Sequence, residues 1–134
     1  MLIVEDEPDG RELLFHVLEQ EGAVPSVVDS SAAALAALKR ELPDVLVADI
    51  GLPGEDGYTM IRKIRSMTEA AGGRIPAAAL TACARPQDRV DAVSAGFQMH
   101  MAKPVDPDHL LAVVANLARM AADLKRGRDQ GRSS

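Results

Sequence analysis

Three carboxylates, one hydroxyl and one amine hold most of the chemistry open to this 134-residue chain. Glu5 and Asp6 follow the first short apolar run, Asp49 the third, Thr81 the fourth and Lys103 the fifth. Three carboxylates in one pocket repel one another, and at least one is driven toward protonation unless a cation intervenes. Hard oxygen ligands suit Mg2+, which takes one or two carboxylates, keeps several waters and recruits phosphate oxygens. Mn2+ accepts the same donors. A carboxylate beside Mg2+ and a lysine can attack a phosphoryl group and become an aspartyl phosphate. Phosphoryl transfer asks the protein mainly for positioning and charge neutralisation. Taken singly, each residue has a plainer reading: Glu5 or Asp6 as a helix N-cap, Asp49 as a turn former, Thr81 as a satisfied β-branched residue, Lys103 as a solvated charge. Their joint delivery to four strand ends favours a site.

The elements that must deliver them alternate along the chain. Apolar, partly β-branched runs at residues 2–4, 45–48, 77–80 and 99–102 read as strands buried on both faces, and the run 24–28, interrupted by Pro25, as an edge strand. Helical spacing fills the gaps. Leu13, Leu14, Val17 and Leu18 form one stripe ending at Gly22, and a second helix capped by Ser30 or Ser31 runs through Leu35 and Leu38 to Arg40. Met60, Ile61, Ile64 and Met67 mark a third helix, Val90, Val93 and Gly96 a fourth, and Leu110, Leu111, Val114 and Leu117 a fifth that starts near Asp106-Pro107. Such alternation predicts an α/β, doubly wound parallel sheet with helices on both faces. Ligands of such sheets bind beyond the carboxyl ends of the strands, where the five residues fall. The expected domain covers residues 1–123. The basic, polar stretch 124–134 reads as a disordered tail or linker.

Composition narrows the function. Aromatics are 2% with no Trp, which disfavours stacking on single-stranded nucleic acid, and 20 acidic against 15 basic residues disfavour a phosphate-backbone binder. One cysteine excludes an internal disulfide framework. No apolar stretch approaches a membrane span, and the first residues carry neither the basic region nor the small-residue cleavage site of a signal peptide. The expected class is a soluble, cytoplasmic single domain.

The segments Leu2-Ile3-Val4-Glu5-Asp6-Glu7-Pro8, Asp44-Val45-Leu46-Val47-Ala48-Asp49, Leu52-Pro53-Gly54-Glu55-Asp56-Gly57, Ala79-Leu80-Thr81-Ala82 and Ala102-Lys103-Pro104 together resemble the receiver domain of bacterial two-component response regulators. That resemblance implies a flavodoxin-like five-stranded sheet of order 2-1-3-4-5 with five helices. It implies Asp49 as the phosphoacceptor. The Mg2+ ligands would be Glu5, Asp6, Asp49 and the backbone carbonyl of Gly51, with Asp6 the more direct and Glu5 acting through water. Thr81 would be the hydroxyl that turns to the phosphoryl group, and Lys103 the lysine that pairs with acceptor and phosphate, through a Lys-Pro bond commonly cis in the family. Gly51 and Cys83 stand where phosphoryl lifetime is tuned. Both are small and neither orients an attacking water strongly, which implies a phosphoryl group not shed especially fast, while Ala82 leaves room for a phosphodonor. His100 stands where receivers usually carry Tyr or Phe. It reads either as a solvent-facing strand residue or as a switch that moves with Thr81. The segment 96–104 is similar to receivers of hybrid histidine kinases, and a stand-alone regulator is equally consistent with the chain.

The implied partners are a histidine kinase or histidine phosphotransfer domain and a downstream protein, with a homodimer through the fourth and fifth helices as one use of that face. Phe15, off the apolar stripe of the first helix, is a contact candidate, and His16 beside it reads as a surface histidine. Met60, Met67, Met99, Met101 and Met120 read as core filling. The expected role is a regulatory phosphoacceptor that catalyses only its own phosphorylation and dephosphorylation. The alternative is a pseudo-receiver that binds partners without phosphorylation. An aspartate-nucleophile phosphatase would need a second acid two residues after Asp49, where Gly51 stands. A nucleotide-binding enzyme would need a Gly-rich loop after the first strand, and DNA binding an effector domain that this length does not accommodate.

Overall fold

Short apolar strands without alternation are stable only where both faces are covered, and a computed structural model shows that arrangement. It describes residues 1–52, 54–82 and 85–132, with side chains as far as Gly127. Chain order is β1 (Leu2–Val4), α1 (Pro8–Gln20), β2 (Ser26–Val28), α2 (Ser31–Arg40), β3 (Leu46–Asp49), α3 (Gly57–Arg65), a 3-10 turn (Glu69–Ala71), β4 (Ala77–Thr81), α4 (Pro86–Ala95), β5 (Met99–Ala102) and α5 (Pro107–Arg132). The strands are all parallel in the order β2-β1-β3-β4-β5. This is the expected doubly wound sheet, with β2 at the edge.

Alternation along each strand divides the core in two. On one face Val4, Ala48 and Ala79 meet Ala34 and Leu38 of α2, Met60, Ile61 and Ile64 of α3, Ala92 and Ala95 of α4, and Phe97. On the other, Ile3, Val47, Leu80 and Met101 meet Leu14 and Leu18 of α1 and Leu110, Val113 and Leu117 of α5. Ser30 is the cap of α2, its side chain accepting from the Ala33 amide.

Four expectations need correction. Leu13 is 47% exposed, because Leu14 and Leu18 already fill the buried stripe of α1. Val90 and Val93 are each 55% exposed, because α4 packs against the sheet through Ala92 and Ala95. Met120 is exposed, while Met60 and Met101 are in the core. Finally, α5 continues through the basic stretch to Arg132, so residues 124–132 are helical and not an irregular tail. Lys, Arg, Gln and Leu are good helix formers, and Lys125 pairs with Asp44 at 2.9 Å and Arg126 with Asp123.

Candidate functional site

The carboxyl ends of β1, β3, β4 and β5 lie side by side, since Val4 pairs with Ala48, Asp49 with Leu80 and Thr81 with Ala102. The register therefore brings Glu5, Asp6, Asp49, Thr81 and Lys103 to one edge. Asp49 closes β3 and Thr81 closes β4, both buried. Glu5 is 1% exposed and keeps its amide in the sheet, donating to the Val28 carbonyl at 3.0 Å. Asp6 is half-buried at the head of the β1–α1 turn. One oxygen from each of Glu5, Asp6 and Asp49 lies within 4.8 Å of the others.

Lys103 sits between two of these acids. Its Nζ donates to Asp49 Oδ2 at 2.7 Å and lies 3.0 Å from Glu5 Oε2 and 3.2 Å from Oε1. Its amide donates to the Thr81 carbonyl at 2.8 Å, and the Lys103–Pro104 peptide bond is cis. Burial alone would lower the Lys103 pKa, but the hydrogen bonds to Asp49 and Glu5 outweigh it and raise it above 10.5. Burial raises the Glu5 pKa above 4.5, with the Asp49 charge adding to the rise, against the lowering effects of Lys103 and the Glu7 amide. Three carboxylates facing one ammonium leave two negative charges uncompensated, which is what a divalent cation neutralises. The donor set, all oxygen and close-spaced, fits Mg2+ or Mn2+.

The remaining predicted residues are less uniform. The Gly51 amide donates to Asp49 Oδ1 at 2.9 Å, which holds that loop backbone against the Asp49 carboxylate. Ala82 is exposed directly after Thr81. Cys83 and Pro53 lie outside the described residues. His100 pairs in register with Ala79, on the sheet face that also carries Thr81, and is half-buried. Its Nε2 is buried without a partner among the described residues, so it is not a simple solvent-facing side chain. Phe15 is 38% exposed on α1, and His16 pairs with Gln20 at 3.1 Å.

Sequence reasoning missed several contributors. A cavity of about 200 Å3 opens beside the site, lined by Glu5, Gly10, Leu13, Lys103, Pro104 and Val105, so Leu13 and not Phe15 borders it. A Cβ on Gly10 would approach the Glu5 side chain to 3.1 Å, which explains a glycine in the first turn of α1. A Cβ on Gly57 would lie 2.7 Å from the Asp49 carbonyl, so only glycine lets α3 start this close to β3. Glu55 accepts from the buried Ser31 hydroxyl at 2.7 Å and pairs with Lys63, tying the β3–α3 loop to α2 and α3. A larger cavity of about 480 Å3, lined by Arg65, Arg74, Gln98 and Asp123, lies at the opposite end of the sheet and shares none of this chemistry.

The response regulator receiver domain family matches residues 1–115. The chain belongs to the receiver family. A crystal structure of a putative response regulator from Chloroflexus aurantiacus superposes on this receiver with a TM-score of 0.83 at 32% identity, covering 88% of this chain and 95% of that one. The receiver domain of a histidine kinase from Syntrophus aciditrophicus matches at 0.79 and 30% identity, covering 88% of each. The receiver is also 35% identical to the response regulator Rre1 of Synechocystis, over 98% of its own length and 57% of that protein's. It spans about half the length of this and the other named regulators, 51% for PhoB of Klebsiella pneumoniae, but 86% of a small Leptolyngbya boryana protein to which it is 44% identical. Among the described residues no helix is long and apolar enough to cross a membrane.

Proposed function

We propose that this receiver is a phosphoacceptor switch that takes a phosphoryl group onto Asp49 from the phosphohistidine of a histidine kinase or histidine phosphotransfer domain. The observation that carries the reading is the Asp49 carboxylate held 2.7 Å from Lys103 Nζ within a cluster of three acids. An Asp49 oxygen attacks phosphorus, the N–P bond of the donor breaks, and the imidazole leaves with the electron pair and takes up a proton. Glu5, Asp6, Asp49 and the Gly51 carbonyl would hold the divalent cation. When bound, it neutralises the phosphoryl oxygens and the crowded carboxylates. Lys103 moves its charge from Asp49 toward the new phosphate, and the Thr81 hydroxyl donates to a phosphoryl oxygen. His100, sharing the sheet face of Thr81, shifts with it and alters the α4–β5 surface, where the exposed Val90 and Val93 offer an apolar contact to a downstream protein or a second copy. Leu13, exposed at the rim of the cavity, suits a donor that docks over it, and Phe15, exposed on the same helix, extends that apolar surface. With small residues at Gly51 and Cys83, the phosphoryl group outlasts seconds. Such a switch works in the cytoplasm.

The test is Mg2+-dependent labelling by a small phosphodonor such as acetyl phosphate. The wild type is expected to incorporate one label that Asp49→Asn lacks and that decays over minutes or longer. Equal labelling of both proteins overturns the proposal.

A further inference from the structure

The β1–α1 turn carries two of the three clustered acids, yet it is irregular backbone between a three-residue strand and a helix whose N-cap, Glu7, makes no side-chain capping bond. Asp49 is held by the sheet, since it pairs with Leu80 and the next amide, Ile50, donates to the Leu80 carbonyl at 2.9 Å. Asp6 has no such support. Within the turn the Glu7 amide donates to Glu5 Oε1 at 3.2 Å, and the turn's own carbonyls are held by Arg11. From the first turns of α1 its Nη1 reaches back and donates to the Glu5 carbonyl at 3.0 Å and the Asp6 carbonyl at 2.9 Å. Bonds from a charged donor to two successive carbonyls fix both peptide planes, and so the directions in which the two side chains leave the backbone. Gly10, one residue earlier, faces Glu5 from the helix side, where a Cβ would sit a tight 3.1 Å from the Glu5 side chain.

We propose that Arg11 is a positioning residue for the cation site, holding Glu5 and Asp6 at the spacing that a divalent cation requires without itself being a ligand. The proposal rests on the reading of Glu5, Asp6 and Asp49 as Mg2+ ligands. Two effects of removing Arg11 oppose each other. Loss of a positive charge beside three carboxylates tightens cation binding by Coulomb attraction. Loss of the clamp loosens binding, because groups that orient metal ligands typically account for 10- to 100-fold in affinity. The sign of the change therefore identifies the role.

The experiment is calorimetric titration of the metal-free full chain with Mg2+, for wild type, Arg11→Ala and Arg11→Met. The methionine variant keeps an aliphatic stem over the turn should alanine loosen the helix, and circular dichroism checks that each protein folds. Both variants are expected to bind Mg2+ about tenfold more weakly, while labelling of Asp49 returns to the wild-type rate once Mg2+ is raised to saturation. Unchanged or tighter Mg2+ binding in a folded variant overturns the clamp and leaves the cation site intact. Absence of Mg2+ binding in the wild type itself overturns the underlying reading instead.

Discussion

The single ammonium of Lys103 lies between two carboxylates, and its loss would affect the cation and the chemistry in opposite directions. Lys103→Met leaves Glu5 and Asp49 without their shared partner, so Mg2+ should bind more tightly. Labelling of Asp49 at saturating Mg2+ should nevertheless fall by about 100-fold, the usual cost of removing one donor to developing charge. A titration together with a labelling time course separates the two, and tighter binding with undiminished labelling would exclude a role for Lys103 in transfer. At this scale the sequence was informative, because acids and a lysine at strand ends are visible as letters. Arg11 was not, since an arginine on a helix is normally a solvated charge and its two carbonyl acceptors appear only once the turn is built. The unpartnered Nε2 of His100 was equally hidden, because strand alternation gives a face but not what stands opposite.

At the scale of elements, α4 shows where apolar spacing misleads. Val90 and Val93 mark it as a helix but face solvent, and two alanines bring it close to the sheet. Val93→Ser is therefore expected to change stability by less than about 0.5 kcal/mol, whereas Ala92→Leu, at a position with no exposure, should cost about 1–3 kcal/mol by overpacking. Urea unfolding of the two variants checks this, and similar losses in both would mean that the valines are buried. Small residues carry little hydrophobic signal, so a helix seated on alanine can be read backwards from its own pattern. The β3–α3 loop was opaque for a different reason. Glu55 meets Ser31 across 24 residues of chain, and no local period encodes such a pairing.

Over the whole molecule, a cation that binds only the folded site must stabilise the fold by mass action. At a Mg2+ concentration about 100 times its dissociation constant the gain is about 2.7 kcal/mol, or roughly 8–10 °C in Tm for a chain of this size. Asp6→Asn should lose most of it. The gain should also depend on pH through Glu5. Its folded pKa is raised above 4.5 by burial, so in the metal-free protein its contribution to stability is present below 4.5 and lost as pH rises through the folded value. Mg2+ needs the ionised form. The Mg2+-induced rise in Tm should thus be largest near neutral pH and shrink as pH falls, starting above 4.5. Thermal scans with and without Mg2+ across that window measure it, and a rise independent of pH would remove Glu5 from the ligand set. By itself the sequence determined the strand–helix alternation, the parallel sheet and the five residues at its carboxyl edge, because these depend on local periodicity and on the ends of apolar runs. Tertiary structure alone decided the distances that make them a site, the clamp on the β1–α1 turn, the outward valines of α4 and the length of α5. The distances depend on contacts between segments far apart in the chain, and the valines on which of two faces a neighbour already occupies. The clamp is short-range, five and six residues along the chain, but exists only once the turn brings Arg11 back over Glu5 and Asp6, and α5 adds to its local propensity a pairing of Lys125 with the distant Asp44.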